Sequence, residues 1–178
     1  MVKNKAIFFD RDGVLNHPII KKKKPYAPLS IKEFRLYKNL KNLEKKIRLK
    51  NFMIFVITNQ PDYKKKKISL NILKKLNEIL YKKFQYDKIY VSLSVNNKNY
   101  NRKPNPGMVI KAKKDFNINL KKSFIVGDRY SDIDLARRIG MKAIFIERNY
   151  NEKKPINQIC TVKNIKDAVN FILNYKII

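Results

Sequence analysis

Apolar residues along the chain gather in short unbroken runs, separated by longer stretches in which they recur at helical spacing. Five runs stand out: Lys5 to Asp10, Phe52 to Ile57, Lys88 to Leu93, Ser123 to Val126 and Lys142 to Ile146. Runs this short that do not alternate with polar residues predict strands covered on both faces. Between them, Asn39 opens an amphipathic stretch with Leu40, Leu43, Ile47 and Leu36 on one side and lysines on the other. Ser69 is placed to cap a helix to about Phe84 that carries Ile72, Leu73, Leu76, Ile79 and Leu80 on one face. Asn105 and Pro106 are placed to cap and begin a helix to about Phe116. Ser131 is expected to cap the next, with Ile133, Leu135 and Ile139 apolar and Gly140 as its stop. A last helix runs from Asn164 to about Tyr175.

Strands that alternate with helices require crossovers and therefore a parallel sheet. The predicted fold is α/β, a three-layer Rossmann-like sandwich with a mostly parallel five-stranded sheet. No repeat or linker divides the chain, so residues 1–178 read as one domain. Two segments resist regular structure. From Asn16 to Pro28, the lysines Lys21 to Lys24 and the prolines Pro25 and Pro28 exclude a helix and predict an exposed hairpin or flap, with His17 as ordinary surface. Ser94 to Pro106 is an aperiodic loop. Ser30 and Glu33 have capping-box spacing, which predicts a short helix or turn.

Composition adds a net charge of +28, from 42 Lys and Arg against 14 Asp and Glu. Such a charge attracts phosphate in any form, nucleic acid included. The excess is mainly lysine, spread over nearly every segment together with many asparagines and isoleucines, a pattern that AT-rich codons alone can produce. Arginine, the usual reader of nucleic acid, is sparse. Cys160 is the only cysteine and is expected as a small buried hydrophobe, which excludes an internal disulfide and a cysteine-cluster zinc site. The lysines before the first apolar run resemble the start of a secretion signal, but Asp10, Arg11 and Asp12 cut that run short. No other run could span a bilayer, so a soluble cytoplasmic protein is expected.

Parallel sheets bind ligands beyond the carboxyl ends of their strands. Asp10, Asp12, Thr58 and Asp128 all follow such ends. Carboxylates gathered there repel one another unless a cation joins them, and oxygen-only ligands select a hard ion such as magnesium.

Taken in order, Asp10-Arg11-Asp12-Gly13-Val14-Leu15-Asn16, Thr58-Asn59-Gln60, Arg102-Lys103-Pro104-Asn105-Pro106-Gly107-Met108 and Gly127-Asp128-Arg129 resemble the motifs of the haloacid dehalogenase superfamily of phosphatases. Within it they are most similar to the branch of D-glycero-D-manno-heptose-1,7-bisphosphate and histidinol-phosphate phosphatases. The resemblance implies a haloacid dehalogenase-like fold with a minimal cap. It also implies phosphomonoester hydrolysis in which Asp10 is the nucleophile, Asp12 the acid and base, and Lys103 and Thr58 contacts of the phosphoryl group. Magnesium is then held by Asp10, by the backbone of Asp12 and by Asp128. Asp132 and Asp134 are expected as ordinary acids of a helix's first turn, with support of the metal by Asp132 as the alternative. Arg11, Asn59, Arg102 and Arg129 are the implied substrate-binding residues.

The chain departs from that branch in two places. Its relatives carry zinc-binding cysteines and a histidine before the Arg-Lys-Pro motif, whereas Ser92 to Asn101 has neither, so zinc is not expected. After Gln60 they carry a small residue and an arginine, whereas here the loop reads Pro61-Asp62-Tyr63-Lys64-Lys65-Lys66-Lys67. Both departures fall where substrates are selected. The expected substrate is a small phosphorylated compound, a sugar phosphate such as a heptose bisphosphate. Polynucleotide 3′-phosphatases share Thr-Asn-Gln and Arg-Lys-Pro elements and form one alternative; a catalytically silent relative that binds a phosphorylated ligand or a partner forms another.

Overall fold

The computed structural model describes residues 3–176. The chain opens with β1 (Lys5–Phe9), followed by a hairpin of β2 (Ile19–Lys21) and β3 (Lys24–Tyr26), α1 (Leu40–Leu49) and β4 (Phe52–Asn59). Next come α2 (Leu70–Lys83), β5 (Lys88–Ser92), α3 (Gly107–Phe116), β6 (Phe124–Gly127) and α4 (Tyr130–Arg138). β7 (Lys142–Ile146), β8 (Cys160–Val162) and α5 (Ile165–Asn174) complete it.

The main sheet has the order β5-β4-β1-β6-β7-β8, and every pair in it is parallel. From β1 the chain winds outward through β4 to β5, then returns to the other side of β1 at β6. β1 is thus the point where strand order reverses, and a crevice opens beyond its carboxyl end.

Alternation along β1 sends Ile7 and Phe9 to one face and Ala6 and Phe8 to the other. The first pair belongs to a core with Leu43 and Ile47 of α1, Leu76 and Leu80 of α2, and Val169 and Ile172 of α5. The second belongs to a core with Val109 and Ala112 of α3 and Leu135 and Ala136 of α4. A strand buried on both faces explains why its sequence is apolar without a period.

The sheet has six strands where the apolar runs predict five. β8 is three residues long at the sheet edge, and Cys160 and Val162 are only half-buried, so its sequence carries no strand pattern. Cys160 accordingly packs at the margin of the core and is not enclosed by it. Thr58 and Asn59 are the last residues of β4, paired with Val91 and Ser92 of β5. Leu36 lies ahead of α1 and bridges to Asn16, so it joins the core from a loop.

Two predicted caps are also corrected. α3 begins at Gly107 without a side-chain cap; the Asn105 amide donates instead to the carbonyls of Asn97 (2.7 Å) and Asn99 (2.9 Å). Ser131 lies inside α4, whose start is fastened by Asp132 accepting the Arg129 amide N–H at 3.2 Å. The polar bracing that Asn105 provides, with Arg102 donating to the Ser94 carbonyl at 2.7 Å, orders the loop ahead of α3. No helix among the described residues is long and apolar enough to cross a membrane.

Candidate active site

Asp10 follows β1 and is fastened to β6 by its amide, which donates to the Val126 carbonyl at 2.9 Å. Its Oδ1 accepts the Arg11 amide at 2.7 Å and pairs with Lys103 Nζ at 2.7 Å. Oδ2 has no protein donor among the described residues. Lys103 is 4% exposed, and its ammonium also meets Asp132 Oδ1 at 2.7 Å and donates to the Ile57 carbonyl at 2.9 Å. Burial alone would make this ammonium easier to deprotonate, but Asp10 and Asp132 outweigh it and hold the pKa above the ordinary lysine value. Asn59 sets the position of Lys103: its amide donates to the Lys103 carbonyl (3.1 Å) and its oxygen accepts the Lys103 N–H (3.0 Å).

Asp12 stands on the turn after β1, gripped from three sides. Arg11 donates to both of its oxygens (3.2 and 3.1 Å), Asn16 to Oδ1 (3.0 Å) and Gln60 to Oδ2 (2.6 Å). The same Gln60 amide reaches the Thr58 hydroxyl at 2.8 Å, which links the ends of β1 and β4.

Asp128 and Asp132 approach from β6 and α4. Carboxylate oxygens of Asp10, Asp128 and Asp132, all buried, lie within 4.8 Å of one another. Burial, with Asp132 and Asp12 adding like charge, pushes Asp10 up to about 7 against the pull of Lys103. Burial and the charges of Asp10 and Asp132 raise Asp128 well above the usual carboxylate range. Asp128 Oδ1 is buried without a partner among the described residues, while Oδ2 accepts the Tyr150 hydroxyl at 2.7 Å. Crowded carboxylates and an orphaned oxygen fit a hard divalent cation, which supplies the missing partner and the missing charge. The close approach needs glycine at position 13, where φ is +94° and a Cβ would stand 1.7 Å from Asp128 Oδ2.

These ends open on a cavity of about 310 Å³ lined by Asp10, Asp12, Thr58, Asn59, Lys103, Arg102 and Arg129. Lys24, Lys65 and Lys67 add positive charge to its walls, and Pro25 and Tyr26 of the hairpin form an apolar side. Arg102 faces it with its pKa lowered by burial and by the charge of Arg129, while Arg129 is paired with Glu152, which also lines the cavity. Arg11 does not reach the cavity. Its side chain is fully buried and reaches Asp12 and the Asn77 side chain (2.9 Å), so it braces the turn where a substrate contact was expected.

Three contributors are not apparent in the sequence. Gln60 sits in the Thr-Asn-Gln motif, but its grip on Asp12 depends on strand register. Tyr150 and Arg148 come from the loop after β7. Arg148 donates to the Gly13 carbonyl at 3.0 and 2.9 Å and stacks over Tyr37 at 4.8 Å, holding the turn from outside. Their only local signal is an arginine and an aromatic residue in a polar loop beyond a strand end.

A family profile described as HAD-hydrolase-like matches residues 100–168. The chain is 30% identical over 175 residues to D-glycero-alpha-D-manno-heptose-1,7-bisphosphate 7-phosphatase of Campylobacter jejuni, with 96% of both chains covered. It is 31% identical over 181 residues to D-glycero-beta-D-manno-heptose-1,7-bisphosphate 7-phosphatase of Helicobacter pylori, covering 97% of this chain and 99% of that one. Among solved structures, D,D-heptose 1,7-bisphosphate phosphatase from B. bronchiseptica, complexed with magnesium and phosphate, superposes with a TM-score of 0.80 at 18% identity, over 95% of this chain and 98% of that one.

Proposed function

The chain belongs to the haloacid dehalogenase-like phosphatases, and from that premise we propose a magnesium-dependent phosphomonoesterase that works through an aspartyl-phosphate on Asp10 and hydrolyses a heptose bisphosphate or related sugar phosphate. The observation that carries the reading is the pairing of Asp10, whose Oδ2 has no donor among the described residues, with the buried Lys103 ammonium 2.7 Å from Oδ1, in a cavity that Asp12 also lines.

Asp10 Oδ2 attacks phosphorus as the bond to the leaving oxygen breaks, and Asp12 gives that oxygen its proton. Asp12 then takes a proton from water, whose oxygen attacks the same phosphorus and releases inorganic phosphate, restoring Asp10. A protonated carboxyl presents a donor where the ionised group presents only acceptors. Proton delivery therefore needs one contact to Asp12 to open, and Gln60 is suited to this because its amide can turn to offer its oxygen. Lys103, the Thr58 hydroxyl and the Asn59 backbone N–H take phosphoryl oxygens. Asp10, Asp128 and the Asp12 carbonyl would hold magnesium, with Asp132 supporting them through Lys103. The ion, when bound, offsets the repulsion between a carboxylate nucleophile and a phosphate dianion.

The walls support a substrate with a second anionic group. Lys24, Lys65, Lys67 and Arg102 line the opening outside any ion pair among the described residues, while Arg129 is paired with Glu152 and Asp62 also lines it, so four cations beyond Lys103 are placed to meet a second anionic group. The same charge would suit a 3′-phosphorylated nucleic-acid end, so the deciding experiment compares them. Phosphate release from both anomers of heptose 1,7-bisphosphate, from histidinol phosphate and from 3′-phosphorylated oligonucleotides is measured with magnesium and with EDTA. A heptose bisphosphate is expected to lead in kcat/KM by at least about tenfold, with turnover lost in EDTA. An oligonucleotide in first place would overturn the sugar reading, and silence on every substrate would favour a binding-only relative.

A further inference from the structure

Asp128 presents its two oxygens very differently. Oδ2 is closed on one side by the Tyr150 hydroxyl at 2.7 Å and on another by Gly13, where even a methyl group would stand 1.7 Å away. Oδ1 is buried and unpartnered among the described residues. The segment that delivers Tyr150 is fastened on both sides: Arg148 donates to the Gly13 carbonyl at 3.0 and 2.9 Å, and the Asn151 N–H donates to the Lys23 carbonyl at 2.8 Å. Glu152 pairs with Arg129 beside it. The hydroxyl is therefore delivered by an anchored loop, and the hydrogen bond fixes the carboxylate about its last torsion.

We propose that Tyr150 is a positioning residue that makes Asp128 a one-oxygen ligand and thereby sets the site's preference for a small six-coordinate cation over calcium. Calcium takes six to eight oxygens at longer distances and often draws both from one carboxylate, whereas magnesium takes six at short distance and one from each carboxylate. With Oδ2 engaged by a donor and packed against the Gly13 backbone, Asp128 offers calcium no second oxygen. Without the hydroxyl the carboxylate turns, the magnesium geometry loosens and the two-oxygen mode becomes accessible. The inference rests on the magnesium reading of the site given above.

The test is direct cation binding to the purified full chain, stripped of metal, by titration calorimetry with Mg2+ and separately with Ca2+, requiring no turnover. Tyr150→Phe keeps the ring and its packing, and its melting temperature in EDTA is compared with that of the parent. Mg2+ binding is expected to weaken about tenfold, as for loss of other partners of ligating groups, while Ca2+ binding stays level or tightens, so the Mg/Ca ratio falls. Tyr150→Leu, which also lacks the hydroxyl, is expected to move the ratio the same way. An unchanged ratio in both variants, whether neither affinity moves or both fall together, overturns the inference while leaving the magnesium reading standing. A parent chain that binds neither cation removes that reading and this inference with it, whereas Asp128→Asn serves as the control that abolishes the site.

Discussion

Exchanging the Asp10 carboxylate for an amide keeps the shape of the side chain and removes the electron pair that Oδ2 would bring to phosphorus. Asp10→Asn is expected to lower kcat by at least about a thousandfold, read as phosphate release, with the far-UV spectrum unchanged. Retained turnover would remove Asp10 from the nucleophile's role. Gly13→Ala acts on the same site from the backbone: the new Cβ collides with Asp128 Oδ2, and the φ of +94° is strained for any side chain. That variant is expected to lose activity together with cation binding, measured by calorimetry on the same preparation. Positions such as Asp10, Asp12, Thr58 and Asp128 were legible because a strand end announces itself in sequence. Partners such as Arg148, which reaches a carbonyl 135 residues away, were not, because only the fold brings them together.

Elements were read where their cores are continuous and misread where polar side chains replace periodicity. β1, β4 and β7 declare themselves through unbroken burial, whereas β8 is a three-residue edge strand without a fully buried side chain. Asparagine at a helix start is an ambiguous signal: Asn164 caps α5 by accepting the Asp167 N–H, but Asn105, expected as a cap, turns back to brace its own loop. α4 shows how such local bonds carry pH dependence. Burial would raise the pKa of Asp134, but hydrogen bonds from Arg137 (2.8 Å) and Arg138 (2.8 Å) outweigh it and hold the carboxyl below its ordinary range. A depressed carboxylate contributes stability at pH above the unfolded value, and the contribution is lost as pH falls through the folded one. Arg137 and Arg138 are half-exposed, so screening limits the effect. Asp134→Asn is expected to lower unfolding stability by about 1 kcal/mol at about pH 7, with the deficit closing only as pH falls below the ordinary carboxylate range, as measured by urea unfolding.

At the scale of the whole molecule, a charge of +28 acts either as a field that draws in anionic substrate or as a by-product of composition, and salt separates the two. Mobile ions screen exposed charges over about 10 Å at 0.1 M, while the buried contacts of Lys103 with Asp10 and Asp132 are screened far less. If the field guides association, raising ionic strength from about 0.05 to 0.5 M lowers kcat/KM several-fold and leaves kcat nearly level. The lysines do not contribute equally. Lys65 and Lys67 line the opening, whereas Lys45 and Lys46 are exposed near the end of α1, which leads into the start of β4, at the end of the strands away from the opening. Neutralising the first pair with glutamine is expected to lower kcat/KM at low salt and flatten its dependence on salt. Neutralising the second pair is expected to change either quantity by less than about twofold, because neither lysine lines the cavity and both are exposed to screening by mobile ions. Equal effects from the two pairs would make the charge a diffuse property of the surface and leave the cavity's cations no special part in capture.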